Sequence, residues 1–110
     1  MDTKKLADNY VVSAQITVDD LDQIAAEGYE LLVCNRPDDE AEGQTPFAEI
    51  EARAKELGLQ VANLPFSGGQ LKEEQVLEFA SLMRQNLKTF AYCRTGNRCS
   101  IIWEESKKLS

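Results

Sequence analysis

A chain of 110 residues has room for one domain with a single core, and 43% hydrophobic against 28% charged residues is the balance of a globular protein. Twelve Lys and Arg against nineteen Asp and Glu leave a net charge of −7, which argues against nucleic acid or an anionic membrane surface as the main partner, since both need a dominant basic face. The lack of histidine excludes Ser-His and Cys-His pairs and His-ligated metals, and Cys34, Cys93 and Cys99 have no zinc-like spacing, so neither a metal nor a cofactor is expected.

The opening Met1–Tyr10 has no hydrophobic stretch after its two lysines, and no apolar run reaches membrane-spanning length; a cytoplasmic domain over residues 1–110 is expected. Tyr10–Ile16 holds a short β-branched run and is the first predicted strand. Thr17-Val-Asp-Asp20 is a capping-box pattern, with Asp20 able to reach back to the Thr17 amide, and it opens a helix closed by Gly28. Leu31–Cys34 is a continuous apolar run, as for a strand covered on both faces. After a polar loop, Thr45-Pro46 predicts an N-cap and first helical position for a helix with its stripe on Phe47, Ile50, Ala54 and Leu57. Leu59–Leu64 reads as a strand stopped by Pro65, and Ser67-Gly68-Gly69 as a loop. Val76, Phe79, Ala80 and Met83 mark a further helix face, Thr89–Cys93 a fourth strand, and Ser100–Leu109 a closing helix. The alternation predicts an α/β fold, a mostly parallel sheet flanked by helices, with the loops after Cys34, Leu64 and Cys93 at one sheet edge.

The chemistry concentrates in Cys93-Arg94-Thr95-Gly96-Asn97-Arg98, between that fourth strand and its helix. A strand-loop-helix aims backbone N–H groups and the positive helix end inward, and Arg98 adds a planar cation suited to tetrahedral oxyanions. A cysteine held there should have its pKa lowered from about 8.5 toward roughly 4–7. Cys93 and Arg98 are therefore the predicted catalytic pair, with Arg94, Thr95, Gly96, Asn97 and Cys99 as substrate-binding candidates. Residues 92–110 carry a net +2 and the other 91 residues −9, so the local charge supports an anionic substrate at this loop.

The loop from Cys93 to Arg98 resembles the active-site loop of rhodanese-type sulfurtransferases. The chain as a whole resembles the phosphatase-like domain of the beta-lactamase hydrolase-like proteins, a small bacterial domain that also occurs fused to metallo-β-lactamase-type hydrolases. The matching landmarks are Gln15-Ile16-Thr17, Asn35-Arg36-Pro37-Asp38, Glu49-Ile50, Leu64-Pro65-Phe66-Ser67-Gly68-Gly69 and Tyr92–Ser100. The resemblance implies a fold similar to the dual-specificity protein tyrosine phosphatases and an activity called both phosphatase and sulfur transferase; the fusions suggest work beside a persulfide-oxidising metalloenzyme.

Two departures favour sulfur. Cysteine-dependent phosphatases place five residues between cysteine and arginine, whereas four stand between Cys93 and Arg98. Gly68 stands about where a dual-specificity phosphatase carries its general-acid aspartate, and losing a proton donor costs about 100- to 10,000-fold. The expected activity is thus sulfane-sulfur transfer from thiosulfate or a small persulfide through a Cys93 persulfide. The alternatives are a phosphatase acting through a Cys93 phosphocysteine and a non-catalytic oxyanion-binding module. For a phosphatase, Asp38 or Asp39 could supply the acid, although a solvated turn is the simpler reading of both. Arg36 is expected to pair with a loop carboxylate, Glu73 and Glu74 to be first-turn helix acids, and Gly68-Gly69 to be a tight turn. Cys34 and Trp103 are expected in packing roles. Cys99, where a serine or threonine commonly follows the arginine, is either a small packed residue or a resolving thiol.

Overall fold

The computed structural model describes residues 1–109. Among the described residues, five strands and four helices follow the order β1 (Thr3–Ala7), β2 (Tyr10–Ser13), α1 (Asp20–Ala26), β3 (Leu31–Cys34), α2 (Phe47–Glu56), β4 (Gln60–Asn63), α3 (Glu73–Met83), β5 (Thr89–Tyr92) and α4 (Asn97–Lys107). The sheet order is β1-β2-β5-β3-β4; β2, β5, β3 and β4 are mutually parallel and only β1 runs antiparallel. This is the expected α/β architecture with one addition. Thr3–Ala7 forms an edge strand paired Thr3↔Ser13 and Lys5↔Val11, which no periodicity announces. Its solvent-facing lysines suit a sheet edge that must not recruit another strand.

Strand alternation divides the core in two. Leu31, Val33, Ala91 and Cys93 pack on one face with Val76, Phe79, Cys99 and Ile102 of α3 and α4. Leu32, Cys34, Phe90 and Tyr92 pack on the other with Leu21, Ile24, Ile50 and Ala54 of α1 and α2. Cys93 and Cys99 therefore share a face, and Cys34 lies on the opposite one. Tyr10 anchors the first face: its ring stacks on Trp103 at 5.9 Å and its hydroxyl donates to the Cys99 carbonyl at 2.9 Å. Trp103 is thus helix packing, as expected.

Helix ends follow local chemistry at one site and distant chemistry at another. The Thr17 amide donates to Asp20 Oδ2 at 2.9 Å, as its spacing predicts, and the chain turns once before α1. Thr45, in contrast, does not cap α2. Pro46 holds the N-cap position, and the Phe47 amide donates instead to Asp38 Oδ1 at 2.9 Å, nine positions back. Among the described residues no helix is long and apolar enough to cross a membrane.

Candidate active site

β5 lies between β2 and β3, so Cys93 emerges at the C-terminal end of a central parallel strand, where open α/β sheets place their sites. The Cys93 amide donates to the Ser13 carbonyl at 3.2 Å and fixes the first residue of the loop to β2. The loop can turn back within three residues because Gly96 takes φ 96°, a left-handed conformation that favours glycine. A Cβ there would lie 3.5 Å from Val12 Cγ2 and 3.6 Å from the Ser13 backbone, so Gly96 is seated against β2. Its amide donates to Cys93 Sγ at 3.0 Å.

The Cys93 sulfur is buried, and its pKa falls from the ordinary thiol value to about 4. The first cause is a hydrogen bond from the Cys99 thiol; the amides of Cys99, Thr95 and Arg98 add to it, against the opposing effect of burial. Cys99 itself is pushed well up, chiefly by burial and then by its bond to Cys93, and so stays protonated as a donor. Cys99 is packed in the first turn of α4, and in the place of the usual hydroxyl its thiol favours the charged form of Cys93.

The other candidates divide. Thr95 contributes its amide to the thiolate, and its hydroxyl accepts from the Asn97 amide at 3.3 Å, which points Asn97 N–H at the loop itself. Arg94 is exposed, and its carbonyl accepts from Gln15 N at 3.4 Å. Only Arg98 turns inward, with its side chain 12% exposed. Arg98 Nη1 donates to Glu40 Oε2 and Nη2 to Glu40 Oε1, both at 2.7 Å, and Nη1 also donates to the Phe66 carbonyl at 3.1 Å. Glu40 Oε1 accepts from Arg36 Nε as well, at 2.9 Å, and Arg36 Nη1 donates to Gln15 Oε1 at 3.0 Å. Arg36 therefore pairs with a loop carboxylate, as expected.

Glu40 is the residue that sequence reasoning missed. It lies 58 positions from Arg98 in a polar loop, with no motif to single it out. Hydrogen bonds from Arg98, then Arg36, bring its carboxyl down to about 2. Asp38, the candidate acid, is engaged on the first amide of α2. The segment after β4 offers Arg98 a carbonyl, from Phe66, rather than a carboxylate. Glu73 and Glu74 stand in the first turn of α3, and Gly69 turns at φ 75°.

Comparison with known proteins bears on this geometry. The family model described as "Beta-lactamase hydrolase-like protein, phosphatase-like domain" matches residues 2–110. The Beta-lactamase hydrolase-like protein of Agrobacterium fabrum is 23% identical over 104 residues, which make up 94% of this chain and 24% of that one. The chain thus spans about a quarter of that relative's length. A candidate phosphatase from Neisseria meningitidis is 37% identical, with TM-score 0.81 over 90% of this chain and 71% of the other. TpbA of P. aeruginosa, solved with phosphotyrosine, is 13% identical with TM-score 0.67 over 92% of this chain and 59% of its own, a likeness of fold. The architecture is that of the protein tyrosine and dual-specificity-type phosphatases.

Proposed function

The chain belongs to the phosphatase-like domain family of the beta-lactamase hydrolase-like proteins, and on that premise we propose that residues 1–110 form one catalytic domain, a cysteine-dependent phosphatase working through a Cys93 phosphocysteine. The observation that carries this reading is the seat of Cys93, buried at the end of β5 with its sulfur accepting from the Gly96 amide at 3.0 Å and Arg98 closing the same loop; that seat lowers its pKa to about 4. The name of the Neisseria meningitidis relative and the phosphotyrosine bound to TpbA support phosphate esters as the substrate class. In this reading phosphate takes precedence over the sulfur chemistry that the short loop suggests.

The thiolate attacks phosphorus; an S–P bond forms as the P–O bond to the leaving group breaks, and the electron pair stays on the leaving oxygen. Loop amides and Arg98 hold the non-bridging oxygens, where charge grows. Water then attacks phosphorus, the S–P bond breaks, and phosphate and the thiolate are released. Glu40, with its carboxyl near 2, is ionised at neutral pH and supplies no proton. Leaving groups that depart as anions, such as aryl oxygens, are therefore favoured. Alkyl esters should be slower by about 100- to 10,000-fold, the usual value of a general acid.

A second reading, sulfur transfer, has one specific support: only Arg94, Thr95, Gly96 and Asn97 separate nucleophile and cation. There the thiolate attacks the sulfane sulfur of thiosulfate, an S–S bond forms, and sulfite leaves with the electron pair of the broken bond. The deciding experiment is hydrolysis of p-nitrophenyl phosphate by the wild type and by Cys93→Ser, with intact-mass measurement after incubation with thiosulfate. Turnover that falls on the order of 10⁴-fold or more in a folded Cys93→Ser is expected of a covalent nucleophile. Full turnover in that variant would sink the site. A one-sulfur adduct without ester hydrolysis would replace phosphatase with sulfurtransferase, and oxyanion binding with neither would leave a binding module.

A further inference from the structure

The five N–H donors of Arg98 can be followed one by one. Glu40 takes one from Nη1 and one from Nη2, across the end of the guanidinium. The Phe66 carbonyl takes the second from Nη1. What remains is Nε–H and one Nη2–H, which lie parallel along a single edge of the plane. That edge is a two-pronged fork of the kind that binds two oxygens of a tetrahedral anion, and the charge on the Cys93 sulfur at the other end of the same loop is among the influences that raise the Arg98 pKa, after Glu40.

We propose that Glu40 is a positioning residue, which fixes Arg98 so that its free fork faces the oxyanion seated over Cys93. This inference rests on the oxyanion site of the proposed function, though not on whether phosphate or sulfur is transferred there. Glu40 is suited to the task because it is itself held. Its Oε1 also binds Arg36, whose side chain is 5% exposed and whose other end is tied to Gln15 in the segment after β2. A carboxylate gripped by two arginines, one of them buried, acts as a fixed post for the other. The arrangement fixes orientation and costs attraction, because a negative charge now stands beside a site for anions.

That cost gives the test its sign. If Glu40 contributed only charge, or occupied the place of the substrate, Glu40→Gln would remove repulsion and tighten anion binding. If Glu40 aims Arg98, the same change loosens the guanidinium and weakens binding. The experiment is protection of Cys93 from iodoacetamide by inorganic phosphate, with kcat and KM for p-nitrophenyl phosphate measured alongside. Glu40→Gln should need about tenfold more phosphate for half-protection, and kcat/KM should fall by up to about 100-fold, as expected when a binding group is misplaced by an ångström.

Glu40→Asp, which keeps the charge on a shorter arm, should fall between the two. Melting temperatures check that each variant is folded, and if Glu40→Gln is not, the Asp variant carries the test. Protection equal to or tighter than wild type in the folded variant would overturn the positioning role. Protection of the wild type without ester hydrolysis would sink the phosphatase reading and leave Glu40 to be judged on protection alone. No protection of the wild type would overturn both.

Discussion

The turn after β5 runs only from Cys93 to Gly96 and works mainly through its main chain, whereas the segment after β3 runs from Asn35 to Pro46 and works through side chains. In the first, the Gly96 amide reaches the nucleophile at 3.0 Å, and a left-handed residue packed on β2 leaves the turn little freedom. In the second, Arg36, Glu40, Gln44 and Asp38 each fasten a different point: Gln15 and Arg98, the Pro37 carbonyl, and the first amide of α2. The two meet at Arg98. A main-chain cradle is prepaid in the fold and needs few particular side chains, while a side-chain clamp specifies one geometry and fails if one member is lost.

Among the changes that keep the nucleophile and test this comparison, the largest expected effect on the turn side comes from a thiol in the first turn of α4. Cys99→Ala removes the first cause of the low Cys93 pKa. A hydrogen bond to a charged group is worth roughly 1.5–3 kcal/mol, so the midpoint of Cys93 alkylation against pH should rise by about one to two units. Cys99→Ser keeps a donor and should restore most of the shift. The same midpoint has a stability consequence. The folded thiol titrates near 4 and the unfolded one near 9, so the wild type should gain stability over Cys93→Ser as pH rises from 4 toward 9, and lose that margin as pH falls back through 4. A midpoint unmoved in Cys99→Ala would show that amides alone hold the charge.

Gly96→Ala comes next and sharpens the same side. The added Cβ finds ordinary van der Waals distances, 3.5 Å from Val12 Cγ2, so the cost is conformational. A non-glycine residue at φ 96° should lose about 1–2 kcal/mol in urea unfolding, with activity reduced as the loop opens to relieve it. Unchanged stability would mean that the turn has slack that this geometry does not show.

How much of each loop could be read from sequence follows from how it is built. The nucleophile, the glycine and the inward arginine sit within six residues, so strand-loop-helix logic finds them. The role of Cys99 needs one more step: strand alternation and the first turn of α4 place it on the face of Cys93, away from Cys34. Glu40 offers no such handle, because its partner is 58 positions away and any of several acids in the segment has the right chemistry. The edge strand β1 escapes for a related reason. Thr3-Lys4-Lys5 has no apolar alternation; backbone pairing with Val11, Val12 and Ser13 makes it a strand, and only Leu6 and Ala7 at its end pack on the core.

The smallest effect tests whether the side-chain clamp is one unit or several. Asp38 lies two positions before Glu40, yet it serves α2 rather than Arg98. Removing an N-terminal cap costs about 1 kcal/mol, so Asp38→Ala should lower the urea midpoint modestly. Glu40 keeps two supports that do not pass through Asp38, namely Arg36 and the bond from its own amide to Gln44 Oε1 at 3.1 Å. The kcat/KM for aryl phosphate should therefore stay within about twofold, the scale of a surface change away from the site. A proton donor at that position would instead show a loss of about 100-fold or more, and the loss would grow with the pKa of the leaving group. A flat response across aryl leaving groups keeps Asp38 on the helix and leaves the chemistry to the loop after β5; a steep one would move the acid into the segment after β3 and make it a catalytic element as well as a clamp.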